Sequence, residues 1–311
     1  MSTPVRHLLS SADFDPDEIA GLLDLGMRVK KSRPQVLRGY ELALLFEKPS
    51  LRTRMSFEVG VRMLGGSTIY MAPQEVGIGE REAIKDVARA VARYVDIVGV
   101  RTFGQSNVEE YASFSSIPVI NALTEDEHPC QALADFLTLK EKWGSLAGHS
   151  IAYVGDGNNV AASFAVTAAS LGMDVRVASP RGYTLPEGML TEASSRAAAT
   201  GGSFNHGNDL HAAVSGAEAV YTDVWTSMGQ EREAERRRIH FAGWQVNAEL
   251  LEYAAPGAFI MHDLPAHRGE EITDEAIERP ASIVFDQVEN RTWAQVAVVI
   301  TLLGLAGEAG S

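Results

Sequence analysis

Short apolar runs alternate with longer helix-patterned segments along the whole chain, and this alternation constrains the fold more than any other feature. Strand-like stretches fall at 41–45, 97–100, 119–120, 150–154, 174–178, 219–222, 258–261 and 283–284. Helical patterns lie between them, for instance at 53–64, 84–94, 131–143 and 160–171. Strand and helix taking turns is the mark of a parallel sheet covered by helices, an α/β fold. A length of 311 residues favours two domains. The 131–143 helix should end at Gly144, with a new strand beginning after His149. That spacing predicts one domain over 1–140 and a second over 141–290. A C-terminal apolar helix over 291–311 is expected to pack back on the first domain.

Charge narrows the function classes. With 41 acidic residues against 27 Lys plus Arg, the formal charge is −14. No nucleic-acid partner and no general affinity for anionic membrane is expected, since both need an excess of cations. The N-terminus lacks the charged head and apolar core of a signal peptide, and the longest apolar stretch, 296–306, is shorter than the ~20 residues of a bilayer span. Cys130 is the only cysteine, so no internal disulfide is possible, and burial as a small hydrophobe is its simplest role. A cytoplasmic protein is the expectation.

The arginines are not all scattered. Residues 45–60 read LFEKPSLRTRMSFEVG, a strand end, a Pro49-Ser50 turn and a helix beginning near Thr53. Ser50, Leu51, Arg52, Thr53 and Arg54 therefore sit at a helix N-terminus, where unpaired N–H groups and the dipole favour an anion. Arginine there opposes the dipole, yet its planar donors match phosphate oxygens. Two readings stay open on the residues alone: an anion site, or a capped helix with solvated or acid-paired arginines. No phosphate loop of the GxxxxGK[ST] type occurs.

Four further motifs are individually modest. In Asp126-Glu127-His128-Pro129-Cys130-Gln131, the proline opens a helix and places His128 and Gln131 on one side. That pair could bind a carbonyl and an NH₂ group together, or simply cap a helix. Val154-Gly155-Asp156-Gly157-Asn158-Asn159 begins like a dinucleotide fingerprint but lacks the third glycine, so a tight strand-to-helix turn is the better reading. Asp223-Val224-Trp225-Thr226-Ser227-Met228-Gly229 and His262-Asp263-Leu264-Pro265 each follow a strand and should open on the same sheet edge. His262 and Asp263 do not form a recognised ligand set, and no metal is expected. The charged stretch 231–238 is most simply a solvated helix or loop.

Taken together, these motifs closely resemble the aspartate/ornithine carbamoyltransferase family, and its ornithine branch in particular. The matching segments are 46–60, VRTFGQ at 100–105, NALTEDEHPCQALADFLTL at 121–139, VGDGNN at 154–159, DVWTSMGQE at 223–231, HDLPAHRGEE at 262–271 and ENR at 289–291. They fall in family order, and seven in register are far more specific than any one. The resemblance implies two α/β domains, each a parallel sheet flanked by helices and joined by interdomain helices. It also implies a homotrimer without metal or organic cofactor, in arginine biosynthesis. By the same resemblance, Ser50, Leu51, Arg52 and Thr53 match phosphate-cradling positions. Arg101, His128, Gln131, Leu264 and Arg291 match those holding the rest of carbamoyl phosphate. Leu123, Asn159, Asp223, Ser227, Met228 and Asp263 match the amino-acid grip, and Arg54 is expected to be structural. Arg101, His128 and Asp263 are the candidate catalytic residues.

Two departures bear on the acceptor. The ornithine branch normally carries His-Cys-Leu-Pro where this chain has Asp263, and His where it has Trp293. An anion at 263 would favour an ammonium beside it, or serve as a base. Ornithine giving citrulline and phosphate is the leading expectation. The alternatives are another ω-amino acid such as 2,3-diaminopropionate, and a non-catalytic family member.

Overall fold

A computed structural model describes residues 5–77, 81–227 and 229–310. The chain forms two compact units, Met1–Leu137 with Glu289–Ser311, and Thr138–Val288. The division falls inside two helices, Pro129–Trp143 and Val284–Leu302, each of which begins in one unit and ends in the other.

The first unit holds a four-stranded parallel sheet. Its strands are β1 (Glu41–Phe46), β2 (Ser67–Met71), β3 (Ile97–Arg101) and β4 (Val119–Leu123), in the order β2-β1-β3-β4. β1 and β3 are buried almost throughout, which is why both read as uninterrupted apolar runs. β2 was not legible as a strand because it is a partly exposed edge with mixed side chains.

The second unit holds a five-stranded parallel sheet. β5 (Ser150–Val154), β6 (Asp174–Ala178), β7 (Ser203–Gly207), β8 (Ala219–Tyr221) and β9 (Phe259–Met261) lie in the order β7-β6-β5-β8-β9. β7, too, is an exposed edge whose sequence, SFNHG, carries no apolar alternation. The expected strand at 283–284 does not form. Ser282 makes an isolated bridge to Ile260, and from Val284 the chain is helical. The C-terminal helix thus starts before the expected Arg291, because the apolar pair opens a helix instead of extending the sheet.

Both sheets reverse strand order next to their first strand, between β1 and β3 and between β5 and β8. Loops leaving the carboxyl ends of such neighbours diverge to opposite faces and leave a crevice, the usual ligand position of open α/β sheets. In the first unit these loops carry Ser50–Thr53 and Thr102–Gly104; in the second they carry Gly155–Asn158 and Thr222–Ser227.

Close helix packing supports the first crevice. At Gly60, in the Leu51–Met63 helix, an added Cβ would lie 2.6 Å from Val296 Cγ1 and 3.2 Å from the Thr292 carbonyl oxygen. The β-branched valine and the helix backbone have little freedom to yield. Gly60→Ala is therefore expected to lower unfolding stability by about 1–3 kcal/mol. The check is the urea midpoint at constant m-value; an unchanged midpoint would mean the two helices can separate at no cost.

Candidate active site

In the first unit, Ser50 caps the Leu51–Met63 helix, its hydroxyl accepting the Thr53 N–H at 3.3 Å and donating to Thr53 Oγ1 at 3.0 Å. Arg291, brought in by the C-terminal helix, donates from Nη2 to the same Thr53 oxygen at 2.5 Å. Thr53 and Arg291 are buried, Arg52 is half-buried, and Leu51 exposes its side chain. Arg54 behaves otherwise: its Nε donates to Glu58 at 2.9 Å and its guanidinium lies 3.8 Å above the Tyr70 ring. It is satisfied by its own helix and the neighbouring strand.

Arg101 ends β3 and is buried, as are His128 and Gln131 at the start of the Pro129–Trp143 helix. Burial, followed by the fields of Arg291 and Arg101, holds the His128 imidazole well below its ordinary range. It is therefore neutral at pH 7, with one N–H to donate. Gln131 donates through Nε2 to Asp135 at 2.7 Å, while its Oε1 is buried with no hydrogen-bond partner among the described residues. A buried amide oxygen of that kind is stabilised by a ligand N–H. Leu123 ends β4 half-buried, its carbonyl accepting the Thr102 N–H at 3.1 Å. Cys130 is fully buried and its thiol is pushed up to about 12 by desolvation, so it stays protonated.

Lys48, inside the 46–60 segment but outside the phosphate-cradling positions, is buried. Its ammonium lies 3.3 Å from Glu125 and 4.2 Å from the Phe103 ring centroid, pinning the loops after β3 and β4.

In the second unit, Asn158 caps the Asn159–Ser170 helix, its Oδ1 accepting the Val160 and Ala161 N–H groups at 3.0 and 3.1 Å. Its Nδ2 donates to Asp223 Oδ2 at 2.7 Å and lies 3.5 Å from Ser227 Oγ. Asn158 thus joins two of the expected residues, although only Asn159 was singled out; Asn159 starts the helix, with its Oδ1 3.0 Å from the Val160 nitrogen. Met228 lies outside the described residues.

Asp223 is buried and hydrogen-bonded to Asp263. Desolvation first, then the Asp263 charge and that hydrogen bond, push the Asp223 carboxyl well above its ordinary range. The protonated form of Asp223 is thereby favoured. Asp223, His262 and Asp263 offer atoms within 4.8 Å of one another, a spacing compatible with a metal ion. The imidazole, however, is already committed: Nδ1 accepts the Leu264 N–H at 2.9 Å, which leaves Nε2–H to donate to Glu271 at 3.1 Å. Leu264 belongs to this second unit and adopts φ 59°, a left-handed conformation costly for leucine. Burial first, then the charges of Asp223, Asp156, Asp263 and Glu271, push the Tyr153 hydroxyl well above its ordinary range.

At the fingerprint-like turn, Gly157 is required by packing within the protein. A Cβ there would lie 2.4 Å from the Thr184 carbonyl carbon and 2.5 Å from the Leu185 nitrogen, in the loop after β6. The charged stretch 231–238 is only partly solvated, because Arg237 is buried against Asp156. Trp293 is buried, with the Arg33 guanidinium 5.5 Å from its ring centroid.

The raised Asp223 carboxyl has a measurable consequence. A carboxyl whose folded pKa is raised gives stability that is fully present below the unfolded value of about 3.9 and is lost as pH climbs through the folded value. Removing the Asp263 charge reduces that loss. Asp263→Asn is expected to raise Tm at pH 8 by about 2–4 °C, roughly 1 kcal/mol, and by less at pH 5. An equal gain at both pH values, measured by calorimetry, would show that the Asp263 charge does not raise the Asp223 carboxyl.

Residues 6–141 match the aspartate/ornithine carbamoyltransferase carbamoyl-P binding domain, and residues 147–302 match the Asp/Orn binding domain of the same family. The chain is 47% identical over 305 residues to the ornithine carbamoyltransferase of Pyrococcus abyssi, covering 96% of each. It is 48% identical over 303 residues to that of Symbiobacterium thermophilum, covering 96% of this chain and 98% of the relative. Its structure superposes on the ornithine carbamoyltransferase of Pyrococcus furiosus with a TM-score of 0.94 at 45% identity, covering 98% of this chain and 99% of that one. Two matched domains spanning nearly the whole sequence, with a shared fold at this identity, place the chain in the aspartate/ornithine carbamoyltransferase family.

Proposed function

We propose that this carbamoyltransferase moves the carbamoyl group of carbamoyl phosphate to the side-chain amine of ornithine, giving citrulline and phosphate. The observation that carries the choice of acceptor is the close Asp223–Asp263 carboxyl pair at the sheet edge, since Asp156 is paired with Arg237 and Glu271 with His262. Buried carboxylates stabilise an acceptor bearing ammonium groups and repel a dicarboxylate such as aspartate.

In this reading Ser50, the Leu51 backbone, Arg52 and Thr53 cradle the phosphate at the helix N-terminus, where N–H groups and dipole favour it. Arg101, His128, Gln131, Leu264 and Arg291 hold the carbamoyl end. The unpartnered Gln131 Oε1 is suited to the carbamoyl NH₂, and neutral His128 and cationic Arg101 to its oxygen. Leu123, Asn159, Asp223, Ser227, Met228 and Asp263 grip the amino acid.

The amine nitrogen attacks the carbamoyl carbon, the carbonyl oxygen becomes an oxyanion, and the C–O bond to phosphate breaks as the ureido C–N bond is completed. Preorganised donors at the oxyanion are worth about 3–4 kcal/mol each. A free side-chain amine has a pKa of about 10 and arrives protonated. Asp263 takes its first proton, a transfer made less uphill by burial beside Asp223, and the departing phosphate takes the second. Asp263 releases its proton to solvent once the products leave, and no redox step or organic cofactor enters the balance.

The reading extends to a cytoplasmic homotrimer serving arginine biosynthesis. Supporting self-association, Leu51 and Met55 on the cradle helix and Ile69 on β2 are large apolar side chains exposed by 71%, 53% and 47%. Sedimentation velocity should return three times the 33.5 kDa chain mass.

Carbamoyl phosphate is to be offered with ornithine, lysine, 2,4-diaminobutyrate, 2,3-diaminopropionate and aspartate, reading ureido product. Ornithine should give the highest kcat/KM; faster turnover of a shorter diamino acid would replace it as acceptor, and no product with any amine would end the enzymatic reading. Arg52→Ala should abolish turnover with the fold retained; an unchanged KM for carbamoyl phosphate would remove Arg52 from the cradle. Asp263→Asn should lower kcat with ornithine by about 10²-fold, the scale of a lost proton acceptor.

A further inference from the structure

Arg237 lies outside every motif that the family resemblance rests on, in a stretch whose composition marks it as solvated. Its helix, Ala234–His240, does expose most of its charged side chains, but Arg237 itself is only 7% exposed. One nitrogen, Nη1, donates both to Asp156 Oδ2 at 2.7 Å and to the Trp225 carbonyl at 2.8 Å. Nε faces Glu233 at 3.4 Å, and the guanidinium lies 4.9 Å from the Tyr183 ring centroid. A single side chain therefore touches the loops that leave β5, β6 and β8.

The positions it holds flank the amino-acid grip. Asp156 stands two residues before Asn158, and Trp225 stands midway between Asp223 and Ser227. Asn158 in turn bonds Asp223 and approaches Ser227. Ser227 is also closed into a turn with Gln230, whose N–H donates to the Ser227 carbonyl at 3.0 Å and whose Oε1 accepts the Ser227 N–H at 3.2 Å. Arg237 reaches back over that turn to Trp225 and across to Asp156, so it fixes both sides of the Asn158–Asp223–Ser227 cluster without belonging to it.

We infer that Arg237 is a positioning residue for acceptor binding, holding the loops after β5 and β8 in register through Asp156 and the Trp225 carbonyl. The ion pair alone would only neutralise a buried charge. The Trp225 bond adds a backbone acceptor from a second loop, so the position of the guanidinium is set by the loops after β5 and β8 together. The Asp156 carboxyl, pushed up to about 6 by burial against the opposing pull of Arg237, shows that the pair sits in a desolvated environment where such bonds are geometrically demanding.

The inference rests on the amino-acid site of the proposed function, and the experiment separates the two. Steady-state KM for ornithine and for carbamoyl phosphate, together with Tm, are measured for wild type, Arg237→Met, Asp156→Asn and the double variant. Arg237→Met leaves the Asp156 carboxyl buried without its partner, at the cost of taking up a proton or holding an unpaired charge, and is expected to lower Tm. The double variant removes both charges and should regain Tm. The expected result is a rise in ornithine KM of about tenfold or more in both Arg237 variants, with carbamoyl phosphate KM within about twofold of wild type. Asp156→Asn alone keeps an acceptor for Arg237 and should stay within about threefold. If ornithine KM returns to the wild-type value together with Tm in the double variant, the role is neutralisation only and the inference is overturned. It is equally overturned if both KM values rise in parallel, or if Asp156→Asn alone produces the tenfold rise. Should Arg237→Met not fold, the double variant decides the question. Absence of ureido product from the wild type overturns the proposed function and this inference together, whereas wild-type turnover with unaltered variant KM overturns only the inference.

Discussion

Parallel pairing of β1 with β3, and of β5 with β8, is the constraint on which the functional arrangement depends. Parallel neighbours require a crossover between them, so every loop that follows a strand leaves from the same sheet edge. Where strand order reverses, two such loops part and their polar groups are left facing a crevice. Ser50 and Arg101 meet this description in one unit, Asn158 and Asp223 in the other. The backbone thus gathers side chains that are far apart in sequence before any specific contact between them forms.

The two gathered sets carry opposite charge. In the first unit Arg101 and Arg291 lie beside a histidine kept neutral by burial and by their field, with the half-buried Arg52 at the helix N-terminus. In the second, Asp223 is buried close to Asp263, and desolvation and the Asp263 charge push its carboxyl well above its ordinary range. Each set is unfavourable in isolation, since like charges are desolvated together. Each is stabilised by a ligand of the opposite sign: an anion for the arginines, ammonium groups for the acids. A net charge of −14 describes neither set, because it averages a surface over sites whose local charge decides what binds.

Most of the fold was legible in sequence because most strands are buried on both faces. β1, β3, β5 and β6 appear as apolar runs with nearly the bounds the structure gives them. β2 and β7 were missed for a physical reason: an edge strand buries little, so its sequence need not be apolar or alternating. The pair 283–284 failed in the opposite sense, since two buried apolar residues fit the start of a core helix as well as a strand. At the sites, spacing along one segment was readable, as with Ser50 and Thr53 or His128 and Gln131. Contacts between segments were not. Neither the Asn158–Asp223 bond nor the burial of Arg237 in a charged stretch leaves a trace in local pattern, because each depends on residues more than sixty positions apart.

The sequence by itself determined the class of fold and the chemical inventory. The period of its apolar residues selects parallel sheets under helices, and its motifs supply donors and acids at strand ends. Only the tertiary structure decided what those groups are. His128 is neutral because it is buried with two arginines from distant segments beside it, and Gln131 gives its amide hydrogen to Asp135 while its oxygen has no partner among the described residues. Asp223 is pushed well above its ordinary range by burial and by Asp263, which favours its protonated form. Protonation and hydrogen-bond direction depend on solvent exclusion and on distances of a few ångströms across the fold, and neither quantity is a property of a residue or of its neighbours in the chain.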